Sequence, residues 1–260
     1  MDIASFFGII VGVGLIIGAM ALSGNIFLYV SLHGFMIAFG GVIASIFIAY
    51  PLKHVIGVFK FLRFVFFKRN KKSILVLVDA FEEFSRATRK DGLLAIETAK
   101  DRFDDPFIKQ GCQMVADGIP AEEIESILTK DINAMVDRHK IGKDIFRFAM
   151  QAGPAFGLIG AVIGIIQMLA ALATGTAGPE MIAKMAGGMS VALCATLYGI
   201  TLAYLIFAPI AQKLANRSDE ELNEKLMLLD GFLAIMAGES PMIVRQRMEA
   251  FIPPKLRKTV

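Results

Sequence analysis

The 260-residue sequence has no tryptophan, only two cysteines and only three histidines. The histidines, His33, His54 and His139, are far apart in sequence, and no P-loop, HExxH or GxSxG pattern occurs. The sequence carries no enzyme signature and is read as a non-enzyme with no cofactor. Cys112 falls in a polar region and Cys194 in an apolar one, so no disulfide is expected and the cysteines do not fix a compartment. The formal net charge is only +3, and no Lys/Arg tract interleaved with aromatics is present, which argues against nucleic acid as a partner. The start, Met1-Asp2-Ile3, lacks the positive region of a secretory signal. The first apolar stretch is therefore expected to remain as a span.

The most telling absence is of charge. Phe148 to Ala173 and Met185 to Ala211 contain no Asp, Glu, Lys or Arg. Each is long enough to cross a hydrocarbon core as a helix, which takes about 20 residues. Both carry small residues at helical spacing: Gly157, Gly160, Ala161 and Gly164 in the first, Gly188, Ala192, Ala195, Gly199 and Ala203 in the second. Such stripes let helix backbones approach closely within a bilayer. Two further spans are expected at Ile3 to Leu22 and Ile26 to Ile48, joined by Ser23-Gly24-Asn25.

These features give an all-α, polytopic membrane protein with four transmembrane helices and a helical cytoplasmic domain between helices two and three. Its expected parts are a transmembrane hairpin (1–50), an interfacial amphipathic helix (51–72), the cytoplasmic domain (73–147), a second hairpin (148–211) and C-terminal cytoplasmic helices (212–260). Lys53, Lys60, Arg63, Lys68, Arg69, Lys71 and Lys72 mark the cytoplasmic side and place basic residues against lipid headgroups. Both termini are then cytoplasmic. In the soluble region, breaks are expected at Asp91-Gly92, Asp104-Asp105-Pro106 and Asp117-Gly118. The helix that follows Pro120 has no strong breaker before Gly142 and is expected to run on into the third span.

Candidate functional residues are few. A cation pathway needs a polar or ionisable group within the membrane, and the four spans supply no central carboxylate. An ion-binding acid would have to come from another subunit. Thr196 is the best polar wall residue, although a threonine in a helix also bonds the carbonyl one turn back. His33 is the one near-neutral titrating group in a span, and it also fits a histidine at a span's outer end. Pro154 and Pro209 fall at the same membrane face, as end-of-span bends or as a paired flexible base. Arg89, Lys90 and Glu97 straddle the Asp91-Gly92 break, as a solvated face or as a docking surface for a charged partner.

Several runs together resemble a known family. Arg89-Lys90-Asp91-Gly92-Leu93-Leu94-Ala95-Ile96-Glu97, Val136-Asp137-Arg138-His139, Pro154-Ala155-Phe156-Gly157-Leu158-Ile159-Gly160 and Thr196-Leu197-Tyr198-Gly199, with Pro209 beyond, resemble the MotA/PomA family of flagellar stator subunits. The resemblance covers nearly the whole chain. It implies a five-copy ring in the bacterial inner membrane around two copies of a MotB/PomB-type subunit carrying the ion-binding aspartate, and ion flow that drives the flagellar rotor's switch complex. By the same resemblance Arg89 and Glu97 match rotor-facing charges, and Pro154 and Pro209 match basal prolines. Sodium-driven relatives tend to carry a threonine at the position of Ala161, so its absence favours protons over Na⁺, which needs oxygen ligands. Gln151 departs from relatives with an acid just before the basal proline. An energiser of the ExbB/TolQ type shares the small-residue spans and a borrowed acid, but usually has three spans and lacks the Arg89 to Glu97 tip.

Overall fold

The computed structural model describes residues 3–57, 74–173 and 178–257, and the described residues form helices and turns without strands. The chain divides into two compact units, one from residues 1–69 and 140–215, the other from 70–139 and 216–260.

The first unit is apolar. It opens with α1 (Ile3–Leu22), followed by a 3-10 turn (Ile26–Tyr29), α2 (Leu32–Phe35), a π turn (Met36–Gly40) and α3 (Gly41–Ala49). Ile26–Ala49 is long and apolar enough to cross a membrane, as are parts of Ala121–Ala173 and Pro179–Met236; Ile10–Leu22 is a shorter apolar stretch. The second expected span is not one uninterrupted helix. Asn25 caps the 3-10 turn by accepting from the Phe27 N–H, and Ser31 caps α2 by accepting from the Gly34 N–H at 3.2 Å. Two side-chain oxygens in close succession start two separate helical pieces, with Val30 and Ser31 extended between them. After Pro51, residues 52–57 are helical. The rest of the expected interfacial helix, 58–72, lies outside the described residues.

The other unit is an amphipathic helical domain. It contains α4 (Ile74–Asp91), a 3-10 stretch (Leu93–Arg102) and α5 (Pro106–Ala116). The beginning of α6 (Ala121–Ala173), the latter part of α8 (Ala208–Met236) and α9 (Pro241–Glu249) complete it. Phe81, Phe84, Phe107, Ile124, Leu128, Met227, Phe232 and Met248 share its core. The expected helix at Leu93 takes 3-10 form. Gly92, at φ +83°, ends α4 by donating to Thr88 O at 3.0 Å, and the Ala95 N–H then reaches back only three residues to Gly92 O at 3.1 Å.

Charged contacts fasten this domain. Lys225, 8% exposed, lies 2.8 Å from both carboxylate oxygens of Asp105 and 4.6 Å from the centre of the Phe107 ring. Asp105 at the same time caps α5 through the Phe107 N–H. Arg245 of α9 is bound by Asp79, Glu82 and Glu249. Burial opposes the charge on Arg245, but the three carboxylate hydrogen bonds outweigh it and hold the guanidinium above its usual pKa.

α6 contains 53 residues and continues without a break through Pro154, as the missing breaker before Gly142 predicts. At 1.5 Å per residue it is about 80 Å long. α7 (Pro179–Thr201) passes into a π turn (Leu202–Phe207) before α8. The Ala208 N–H bonds Ala203 O, five residues back, and Pro209 follows directly. A proline has no N–H and its ring crowds the carbonyl four residues earlier. The widened turn lies where that crowding would fall.

Candidate functional site: the α6–α7 contact and the α4 tip

The small residues anticipated on the third and fourth spans bring α6 and α7 into backbone contact. A methyl group added at Gly164 would lie 2.4 Å from Gly188 O, and one added at Gly199 would lie 2.4 Å from Gly153 O. Neither position has room for a side chain. The second apolar stretch completes the packing: Gly34 abuts Ala195, and Gly41 abuts the Phe156 ring.

Thr196 sits in this contact, half-buried. Its hydroxyl is 3.0 Å from Ala192 O on its own helix and 3.3 Å from Gly157 O on α6. Both readings of this threonine meet here. The single hydroxyl proton is directed at carbonyls, while the oxygen keeps lone pairs that can accept from water or face a cation. Ala161, one turn beyond Gly157 on α6, is also half-buried and adds no oxygen.

Pro154 is half-buried within α6, and Pro209 is exposed in the first turn of α8. Arg89 and Lys90 are exposed in the last turn of α4, where cations suit the carbonyl end of the helix dipole. Glu97 is half-buried on the 3-10 stretch beyond Gly92. Arg102, at the end of that stretch, bonds Glu83 of α4 at 2.8 Å, and this hydrogen bond holds the Glu83 carboxyl below its usual pKa. Among the described residues no group of His, Cys, Asp and Glu is arranged to hold a metal.

A second polar seam runs along α7 at four-residue spacing. The Tyr198 hydroxyl donates to Tyr29 O and accepts from the Ser31 N–H at 2.9 Å. Cys194 Sγ lies 3.7 Å from Leu28 O, and Ser190 Oγ 3.9 Å from Cys194 Sγ. This seam serves the non-helical backbone at the start of the second span. His33, exposed, lies beside it in a cleft of about 670 Å³ that Ser31, Gln167, Lys184 and Ser190 also line. The spacing of Ser190, Cys194 and Tyr198 is visible in the sequence, but Cys194 and Tyr198 meet backbone, which sequence does not reveal.

The outward surfaces of α6 and α7 remain apolar. Leu158 is 65% exposed and Leu193 64% exposed, and Ile166, Leu169 and Ile200 are exposed as well. Such faces suit lipid or other membrane helices.

Residues 99–227 match the MotA/TolQ/ExbB proton channel family. Along its length the chain is 33% identical to motility protein A of Treponema pallidum, over 99% of this chain and 96% of that one. The chain belongs to the motility protein A family. It is likewise 34% identical to motility protein A of Bacillus subtilis, over 99% of this chain and 93% of that one. Chemotaxis protein PomA of Vibrio alginolyticus is 32% identical, with 97% of this chain and 96% of that one aligned. Among solved structures, the flagellar MotAB stator complex of B. subtilis superimposes with a TM-score of 0.86 at 32% identity, over 98% of this chain and 97% of that one. The structure of C. jejuni MotAB gives the same TM-score at 25% identity, over 100% and 99%. The chain combines apolar helices suited to a membrane with an amphipathic helical domain.

Proposed function

We propose that this flagellar stator subunit forms, with a MotB/PomB-type partner, a proton-driven motor unit of the bacterial inner membrane. Five copies of this chain surround two copies of the partner, whose single span brings the ion-binding aspartate. Four spans, both termini cytoplasmic, agree with the apolar α1 and with Lys53, Lys213 and Arg217 at the inner ends of the others. The exposed apolar faces of α6 and α7 are the surfaces against which neighbouring copies, lipid and the partner's span pack.

The observation that carries this reading is Thr196. Its proton is engaged by Ala192 O and Gly157 O, which leaves the oxygen lone pairs as acceptors for the pathway proposed here. One hydroxyl beside Ala161 is a thin oxygen shell for Na⁺, whereas a proton needs only an acid and a water path. When the partner's acid changes charge, the α6–α7 pair shifts, with Pro154 and the π turn before Pro209 as compliant points. The α4 tip, with Arg89, Lys90 and Glu97, meets complementary charges on the rotor's switch complex.

The deciding experiment is swimming speed against external Na⁺ at fixed pH, in a stator-null strain expressing this chain with its own partner. Speed that ignores Na⁺ and collapses with a protonophore is expected. Speed that saturates with Na⁺ overturns the ion assignment. Charge reversal at Arg89 and Glu97 is expected to stop swimming while the complex still assembles; loss of assembly would give those residues a folding role instead.

A further inference from the structure

The cleft beside the polar seam holds an unusual set of groups for an apolar unit. Ser31, Gln167, Lys184 and Ser190 converge there with His33, and no carboxylate lines it. Its volume of about 670 Å³ falls within the range of small-molecule sites, about 300–1,000 Å³. The Lys184 ammonium pairs with Glu180 of its own helix at 3.0 Å, which leaves two of its three N–H groups for another acceptor. Ser31 Oγ accepts from the Gly34 N–H, so its own proton is available to donate. A cation vestibule would be lined by carboxylates or carbonyls and would not carry a lysine. The donor set fits an anion with several acceptor oxygens.

The surroundings narrow the ligand further. The turn that forms one wall presents apolar side chains outward: Phe27 is 77% exposed, Leu28 67%, Val30 68% and Leu32 69%. In water four such residues within six positions would be costly to leave open, and in a bilayer they lie against acyl chains. An acceptor-rich head and an apolar tail side by side describe an amphiphile. We infer that this cleft is a phospholipid site, with the headgroup phosphate held by Lys184, His33, Ser31, Ser190 and Gln167 and an acyl chain along Phe27, Leu28, Val30 and Leu32. The site is separate from the pathway proposed above: Thr196 meets Gly157 on α6, whereas Cys194 and Tyr198 meet the turn at residues 28–31. A lipid bound there would brace that turn, and through Tyr198 it would brace α7.

The test uses the assembled complex of this chain and its partner in nanodiscs containing a phosphatidylglycerol with a photo-crosslinking acyl chain, followed by peptide mapping. Adducts are expected on peptides covering residues 26–33 and 184–193. A His33→Gln/Lys184→Gln variant is expected to lose about tenfold of that labelling, the loss of one or two charge-assisted hydrogen bonds. Labelling at the exposed α1 face around Leu15 and Leu22 should be unchanged and serves as the measure of non-specific contact. Equal labelling of wild type and variant overturns the inference, as does labelling confined to the α1 face. Displacement of the label by millimolar inorganic phosphate would also overturn it, because the cleft would then take a free anion. If the variant fails to assemble, Lys184→Arg, which keeps the charge, must retain the labelling, while Ser190→Ala must weaken it.

Discussion

The hydroxyl of Tyr198 stands between the Tyr29 carbonyl, to which it donates, and the Ser31 N–H, from which it accepts at 2.9 Å. One side chain of α7 thereby satisfies both ends of a non-helical bend at the start of the second apolar stretch. Inside a bilayer no water takes over such groups. Tyr198→Phe leaves an N–H and a C=O unpaired and should destabilise the complex by about 1–3 kcal/mol. Thermal unfolding in detergent reads this directly. Tyr204→Phe, at a residue 62% exposed, is the control that should change little.

The backbone contacts between α6 and α7 set a second expectation. Gly164→Val and Gly188→Val must push the helices apart, since the first added atom already meets backbone. Assembly with the partner should fail for both on size-exclusion chromatography. Gly14, with nothing within 4 Å of an added methyl, should accept valine with no loss of assembly.

Lys225 and Asp105 form a mostly buried pair. Removing one member of such a pair leaves an uncompensated charge and costs about 3–5 kcal/mol. Lys225→Met should therefore lower the unfolding temperature of the helical domain more than Arg86→Met, because the Arg86 side chain, unlike that of Lys225, is itself largely exposed. Equal effects would show that the pair is solvated in the working protein.

Cys112 is fully buried, and desolvation pushes its thiol up to about 12. It should resist maleimide at neutral pH while the domain is folded and react once the domain is denatured. The sign of the linkage follows. The neutral thiol is the favoured buried form, so its contribution is complete below the ordinary value of 9.0 and is lost as pH rises from there through about 12. Stability measured up the alkaline limb should fall more steeply in wild type than in Cys112→Ala.

Much of this was legible in the sequence. Small residues without charge in Phe148 to Ala173 and Met185 to Ala211 foretold the close contact, because a stripe of glycines has few uses other than backbone approach. Pro120 and the missing breaker before Gly142 foretold the length of α6. Two things were hidden. The bend at Ile26–Ser31 lies in a run as apolar as any helix, and the caps that create it, Asn25 and Ser31, read equally well as ordinary loop and span residues. Lys225 reads as a solvated charge on a polar helix face, and only the fold brings it to Asp105, 120 positions earlier. In both cases the partner is distant in sequence, and local pattern carries no information about it.

The unbroken course of α6 has a consequence for how the chain tolerates change. Within the apolar unit Ile145, Phe146 and Ala149 lie in its core, and Gly157 and Gly164 in the contact with α7. All are set by the phase of a single helix, with no loop between them to absorb an error. Inserting one residue between Ala149 and Gly153 turns everything beyond it by about 100° relative to that core and takes the glycines out of register with α7, whereas seven residues, two turns, restore the phase to within about 20°. Length in this helix is thus quantised: it can drift over generations by heptads, but not by single residues.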